Sequence, residues 1–551
     1  MSETIESGTL KGFPNPPAMV RGEQSSPAPH AAKPPGRIIP GAELGAMSAH
    51  EVDFAIVGSG AGGSVAAAVL AAAGAQVAVV EEGGHYTRND FNMQEAWAYP
   101  ALYQEHGNRT TDDLAIMILQ GRNVGGGTTV NWTSSFRTPA PTLRLWAERH
   151  GVGDIDAATL EPHFAAVEAR LDVGPGNPDD VNANNRKLMD GAAKLGWAPE
   201  LIRRSVKGCA RLGYCGMGCP LDAKRTSRTT FLADAIADGA VVYSDCRVKL
   251  VETDRGRAKA VVAEVLDRAS DRPRGRMIVH ARKGVVLAGG AINTPALLLR
   301  SHAGNESGVV GKRTFLHPTV PMVAFYDQPI EAFYGPPQSV SVHHFSNRGA
   351  RVGYFLETAP VHPMLGALAL PGFGDAHRRM AERLPFVQAT IALLIDGHHE
   401  DDGGDVSVNK DGRISLRYPL NAALREAAID ALGNMARLQL AAGAREVVTL
   451  HETPIVIRSE ADIARIADAP FIANGHTMFS AHQMGGCAMG SDPRRSVVNS
   501  RGRHHQLENL WIADGSVFPT ALGVNPQISV YAHARLFATA IAQGAAAEPA
   551  R

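Results

Sequence analysis

The chain has 551 residues, with 54 lysines and arginines against 55 aspartates and glutamates. A formal charge of −1 gives no electrostatic drive toward nucleic acid or an anionic membrane, and the chain lacks the run of about 18 apolar residues that marks a membrane-spanning helix. The length exceeds what one hydrophobic core usually holds, so at least two domains are expected.

Residues 1–50 are rich in Pro, Gly and Ala and read as an extended N-terminal arm. Their start, MSETIESGTLKGF, has no basic stretch leading into an apolar one, so no secretory leader is read there. VDFAIVG (52–58) predicts a buried strand, GGSVAAAVLAAA (62–73) a small-residue helix, and QVAVVE (76–81) a second strand. Between the first strand and the helix lies Gly58-Ser59-Gly60-Ala61-Gly62-Gly63. In this G-x-G-x-x-G pattern Gly58 allows the tight turn and Gly60 lets backbone approach a pyrophosphate. Gly63 lets helix and strand pack closely, and the helix N-terminus offers free N–H groups to phosphate. Glu81 ends the second strand, where an acidic side chain takes a ribose hydroxyl pair. The whole predicts an α/β, Rossmann-like dinucleotide-binding domain.

Farther along, KGVVLAGG (283–290) reads as a strand and AINTPALLLRS as a helix. From 311 to 474, short strand-like runs (MVAFYD, SVSVHHF, VGYFLE, DVSVNK, RISLRYP) mix with helices. We expect there a second, α+β substrate-binding domain built on a β-sheet. NLWIADGSVFP and the amphipathic PQISVYAHARLFATAIAQ then return to the first domain, which takes 51–310 plus 475–551.

The glycine motif does not separate FAD from NAD. Gly121-Arg122-Asn123-Val124-Gly125-Gly126-Gly127-Thr128-Thr129-Val130-Asn131-Trp132, however, resembles the first signature of the glucose–methanol–choline (GMC) oxidoreductases. Val286 to Pro295 resembles their second signature, although Arg300-Ser301-His302 departs from the usual Ser-Gly. Ser480-Ala481-His482-Gln483-Met484-Gly485-Gly486-Cys487 is similar to the catalytic histidine segment. Ala513 to Pro519 and Val524-Asn525-Pro526-Gln527 are similar to the C-terminal flavin segment. GGGTTVNW, AKRTS and SAHQMG look most like long-chain (fatty) alcohol oxidases and their bacterial relatives. The resemblance implies FAD, with Gly125, Gly126 and Asn131 against the pyrophosphate and ring. Val248 would lie at the adenine, Asp514 at the ribityl or pyrophosphate region, and Pro526 and Gln527 beside the flavin. The choline-oxidising branch tethers its flavin through a His before the Gly-Gly loop. Here the stretch reads Ile118-Leu119-Gln120-Gly121, so non-covalent FAD is expected.

The implied reaction oxidises an alcohol to an aldehyde or ketone, passing hydride to flavin N5 while a base takes the hydroxyl proton. Imidazole suits that task, and His482 is the expected base. Asn525 would hold the substrate oxygen, and followed by Pro526 it also reads as the N-cap of the last helix. His476 and His533 are weaker candidates, and His504 and His505 read as solvent-facing. The substrate would be a long-chain or other hydrophobic alcohol, with O2 or an external acceptor taking the electrons. Alternatives are a sugar or sterol dehydrogenase, and a non-redox hydroxynitrile lyase.

The five cysteines are Cys209, Cys215, Cys219, Cys246 and Cys487. An odd number with three clustered does not resemble a secreted disulfide framework, so a cytoplasmic location is expected. Cys209, Cys215 and Cys219, with Pro220 after them, resemble the loop that holds a 3Fe–4S cluster in the iron–sulfur branch of the family. A reduced structural loop and a zinc site completed by a remote His are the other readings.

Overall fold

A computed structural model describes residues 34–399 and 402–547; most of the expected N-terminal arm, 1–33, lies outside them. The first large sheet has eight strands. Ile38–Pro40, Val241–Ser244, Val77–Val80, Met47–Val57 and Arg272–Leu287 lie side by side in parallel, and Leu510–Ile512 also runs parallel to the last of them. Arg257–Asp267 and Cys246–Asp254 extend the sheet antiparallel. The ordered body therefore begins before Glu51. Ile38–Pro40 is an edge strand, and the strand expected from Val52 starts at Met47 because Arg272–Leu287 pairs with it from Arg276 onward.

The helix Ala61–Ala72 (AGGSVAAAVLAA) is nearly all small residues, so it settles close on this sheet. Its other face meets the last helix, Gln527–Ala547. A Cβ on Gly63 would lie 2.0 Å from the Gly58 carbonyl oxygen, and Gly58 itself has φ +97°. Both positions need glycine, for closeness and for conformation respectively.

The second sheet is antiparallel through its main path: Val456–Ile457, Glu446–Thr449, Thr319–Phe325, Val387–Leu394, Tyr354–Thr358, Val340–Val342 and Pro199–Leu201. Its central strands are buried on both faces. One face takes helices Ala183–Lys194 and Ala422–Ala441: Gln439 donates to Thr390 Oγ1 and Gln388 to the Asn184 carbonyl. Side chains alternate along a strand, so Ile391 and Leu393 point the other way, and both line the cavity described below. Glu357 and Phe355 pair across to Ile391 and Leu393 and so share that face. Met117–Ile118 and Pro199–Leu201, which precede residue 311, also join this sheet. DVSVNK and RISLRYP instead form a separate hairpin, Asp405–Val408 with Ile414–Arg417.

Candidate active site

A cavity of about 610 Å3 is lined from both sheets. At one end stands the N-terminus of helix Ala61–Ala72, whose N-cap position, Gly60, carries no side-chain cap. Its first N–H groups and positive dipole end therefore face the cavity. Gly126, held at φ +54°, closes over it: a Cβ there would meet the Gly60 Cα at 2.9 Å. That close, glycine-lined approach has the form that a phosphate-bearing cofactor fits.

Glu81 lines the cavity, buried at the strand end. Its Oε2 accepts from Ser59 N–H at 2.9 Å and Ser59 Oγ at 2.8 Å, and its Oε1 from Gly83 N–H at 2.9 Å. A carboxylate has about four acceptor sites, so one remains for a ribose hydroxyl unless Ser59 yields another. Burial raises its pKa to about 6. Val248, Asn131, Asp514, Pro526 and Gln527 line the same cavity. Asn131 donates to Gln527 Oε1 at 2.5 Å, and Gln527 donates to the Ser134 carbonyl at 2.9 Å. Asp514 accepts from Gly290 N–H, Thr294 Oγ1 and Ser516 N–H. Gly63 and Gly125 stand behind the lining; Gly125 N–H donates to Ser59 Oγ at 2.9 Å. The uncapped helix start, the glycine gap and the buried carboxylate together fit an FAD.

At the other end His482 and Asn525 come together, 43 positions apart in sequence, with Nε2 and Nδ2 separated by 3.5 Å. Burial lowers the His482 pKa to about 4. Asn525 is not the helix cap expected of it. The last helix starts at Gln527, and Asn525 Nδ2 donates to Glu357 Oε2 at 3.2 Å while Asn525 Oδ1 has no partner. The bond to Glu357 draws the amide toward the second sheet.

Three groups in this cluster escaped the sequence reading. Glu357, fully buried, also accepts from Gln338 Nε2 at 2.7 Å, while its Oε1 is unpartnered. Burial raises its pKa to about 8. An acidic residue on an inward position of VGYFLE was the available signal. His317 places its Nδ1 3.2 Å from His482 Nδ1, and Asp396 accepts from the Leu316 and His317 N–H groups. Nothing local in Phe315-Leu316-His317-Pro318 announces the histidine, nor anything in Leu394-Ile395-Asp396-Gly397 the aspartate.

The raised Glu357 pKa has a consequence for stability. A carboxyl that folds protonated binds more protons in the native than in the unfolded state between the ordinary value of 4.5 and about 8. Its contribution is fully present below 4.5 and is lost as pH rises through 8. Glu357→Gln should therefore gain thermal stability over the wild type from pH 5 to pH 8. A Tm difference that stays constant with pH would show that this carboxyl is ionised in the native state.

The remaining histidine expectations divide. His476 does not line the cavity; it is buried with its ring 4.5 Å from that of His451, and its pKa falls to about 3. His533 bonds the Ser529 carbonyl inside the last helix. His504, expected to face solvent, is 3% exposed, because its Nδ1 accepts from the Gln506 and Leu507 N–H groups.

The cluster reading of Cys209, Cys215 and Cys219 is not supported. Among the described residues no group of three or more His, Cys, Asp or Glu side chains is placed to hold a metal ion. The loop is organised around a buried cation instead: Lys224 Nζ donates to the carbonyls of Thr129, Asn131 and Cys215. The Cys209 sulfur faces the Arg204 guanidinium at 3.9 Å. Lys224 thus ties the cysteine loop to the turn that carries Asn131.

Family models for GMC oxidoreductases match residues 99–319 and 402–534. This chain belongs to the GMC oxidoreductases. An uncharacterized GMC-type oxidoreductase of Mycobacterium tuberculosis is 32% identical over 92% of this chain and 78% of its own length. Long-chain-alcohol oxidase FAO4A of Arabidopsis thaliana is 30% identical over 87% of this chain and 67% of its own length. Among solved structures, pyridoxine 4-oxidase from Mesorbium loti aligns with a TM-score of 0.66 over 88% of this chain and 98% of that one, at 18% identity, a likeness of fold. As a member of the GMC oxidoreductases, the protein is an FAD-dependent oxidoreductase acting on alcohols. No helix among the described residues is long and apolar enough to cross a membrane.

Proposed function

We propose that this GMC oxidoreductase oxidises a hydrophobic alcohol to an aldehyde or ketone. The observation that carries the reading is the contrast within one cavity. His482 and Asn525 stand together, and beside them lies an apolar wall of Ile391, Leu393, Phe479 and Trp132. Phe355, Ile391, Leu393 and Ile395 form a single packed cluster with Trp132 and Phe479 alongside. A sugar would leave several hydroxyls without partners there, at a cost of about 1–3 kcal/mol for each one buried. Gln338, an amide lining the same cavity, is already engaged by Ser134 and Glu357. The long-chain-alcohol oxidase relative supports the same substrate class.

FAD, when bound, would accept the hydride. Ser59, Gly60 and Gly126 would hold its pyrophosphate and Glu81 its ribose, with Val248 at the adenine and Asn131, Asp514, Pro526 and Gln527 around the remainder. His482 and Asn525 would meet the alcohol oxygen, and His482 would take the hydroxyl proton as the hydride leaves, since a protonated carbonyl is a costly product. His482, the one histidine among the lining residues, belongs to the substrate end, and the absence of a histidine just before the Gly-Gly loop supports FAD held without a histidyl bond. O2 or an external acceptor would take the electrons.

Purified protein should be yellow, and acid precipitation should leave FAD in the supernatant. Added anaerobically, long-chain and aromatic alcohols should bleach the flavin, whereas glucose should not. Flavin remaining in the pellet would contradict non-covalent binding, and faster bleaching by sugars would overturn the substrate class.

A further inference from the structure

We propose that the hairpin of Asp405–Val408 and Ile414–Arg417 belongs to the cofactor site, where its turn and Arg300 form the wall against which the adenine of FAD lies. This rests on the placement of FAD proposed above, with Val248 at the adenine.

One side of the wall is a helix. Gly290–Arg300 follows strand Arg272–Leu287, and the N–H of Gly290 donates to Asp514 Oδ2 at 2.8 Å. Asn293, Leu297 and Arg300 recur at the spacing of one helix face, and all three line the cavity. Ten residues carry that face about 15 Å away from Asp514. At the far end Ser301 Oγ accepts from Val251 N–H at 2.9 Å. That bond fastens the helix to Cys246–Asp254, the strand of Val248.

The other side is the hairpin. It comes from the range expected to build the substrate domain, yet Asp411, Gly412, Arg413 and Ile414 of its turn line this same cavity. At its base Val406 N–H donates to the Gly311 carbonyl at 2.8 Å. Asp112 clasps its second strand, accepting from Ser415 Oγ at 2.6 Å and from Leu416 N–H at 3.0 Å. The turn also closes on itself. Gly412, at φ +76°, donates to the Asn409 carbonyl at 2.9 Å, and Asn409 Oδ1 accepts from Arg413 N–H at 3.0 Å. The wall is therefore built before any ligand arrives.

Arg300 joins the two sides. Its Nη2 donates to the Gly412 carbonyl at 3.2 Å, while its Nε is buried without a partner. Neighbouring cations are answered by the protein itself, Arg247 by Glu82 and Asp271 and Lys249 by Glu264, but Arg300 has no ion pair among the described residues. Burial pushes its pKa down, because it gives up water without gaining an adjacent carboxylate. The three elements that meet here contribute apolar lining residues, Val248, Leu297 and Ile414. A phosphate gains nothing from such side chains, and the uncapped start of Ala61–Ala72 already offers it N–H groups. A flat aromatic base fits them, since its faces cover apolar side chains and a planar guanidinium stacks on it.

The test follows FAD itself rather than turnover. Arg300→Met keeps a good helix former and removes the guanidinium. On dilution of the yellow protein, free-flavin fluorescence should appear roughly 30-fold faster than from wild type, the weight of a desolvated cation–π contact. Affinity for FMN, which lacks the adenine, should be the same in both proteins. An unchanged FAD release rate in folded Arg300→Met overturns the proposal. So does an equal loss of FMN and FAD affinity, which would mean that the variant merely loosens the fold. If Arg300→Met does not fold, limited trypsin digestion of the wild type decides. Cleavage after Arg413 should be slower by about tenfold or more with saturating FAD than in flavin-depleted protein, while cleavage after Arg255, exposed and outside the cavity lining, stays the same. Equal protection at both sites, or none at Arg413, overturns the wall. A colourless wild type would instead be the failure of the FAD reading, visible before any variant is made.

Discussion

His482→Ala should slow anaerobic reduction of the flavin by roughly 10²–10⁴-fold with a good alcohol, the weight of a general base. FAD content should be unchanged, because Ser59, Gly60, Gly126 and Glu81 lie at the other end of the cavity. The pH profile carries a second part of this prediction. Burial puts the His482 pKa at about 4, so the ring stays neutral as pH rises above that value and protonates only as pH falls through it. The rate should show no step near 6.5, the ordinary imidazole value, and should fall only toward pH 4. A step at 6.5 that disappears in His482→Ala would mean that the ring is more solvated than its surroundings indicate. If His482→Ala reduces its flavin at the wild-type rate, the site itself is misassigned. His476 would not inherit the role, since it lies against His451 and outside the cavity.

Gly62→Ala should abolish FAD binding and lower stability by about 3 kcal/mol or more, the upper range for forced overpacking. A Cβ at this position would lie 1.5 Å from the Ala513 carbonyl oxygen and 2.7 Å from its carbonyl carbon. Neither atom can rotate away, because Ala513 follows strand Leu510–Ile512 and its N–H donates to the Leu287 carbonyl. Relief would have to come from moving helix Ala61–Ala72 off the sheet, which opens the phosphate cradle. Gly544→Ala is the matched control, since a Cβ on this helix glycine meets nothing within 4 Å and the position lies outside the cavity lining. A yellow Gly62→Ala protein with a wild-type Tm would show that the helix has slack that its packing does not indicate.

The parts legible in the sequence are those whose physics is local. Strand, glycine turn and helix from Phe54 to Val80 form one contiguous unit, and close backbone approach demands glycine there whatever surrounds it. The segments around His482 and Asn525 could likewise be found by their own residues. Their meeting could also be expected, though not its form. Asn525 reads as a helix cap because an Asn-Pro pair before a helical run favours one. The fold instead starts that helix at Gln527 and turns the amide to Glu357, 168 positions away.

Tertiary structure alone decided the protonation of the site. His482 Nδ1 meets His317 Nδ1, 165 positions earlier, and His317 Nε2 accepts from a Gly523 N–H that no pattern marks. Glu357 is an ordinary acid in the sequence and becomes a neutral one only because Tyr354–Thr358 is buried in the middle of a sheet. The cysteine loop has the spacing of a cluster ligand set, but spacing alone does not arrange one, and among the described residues no such set is placed to hold a metal ion. The ammonium of Lys224 takes the Cys215 carbonyl, and with it the conformation of the loop. His504 is buried because the backbone N–H groups of its own turn needed an acceptor. Residue types and their local order specify which groups are available and which backbone can approach a dinucleotide. Proton positions and the ionisation of carboxyls depend on partners brought from far along the chain into a space without water, so only the folded arrangement determines them.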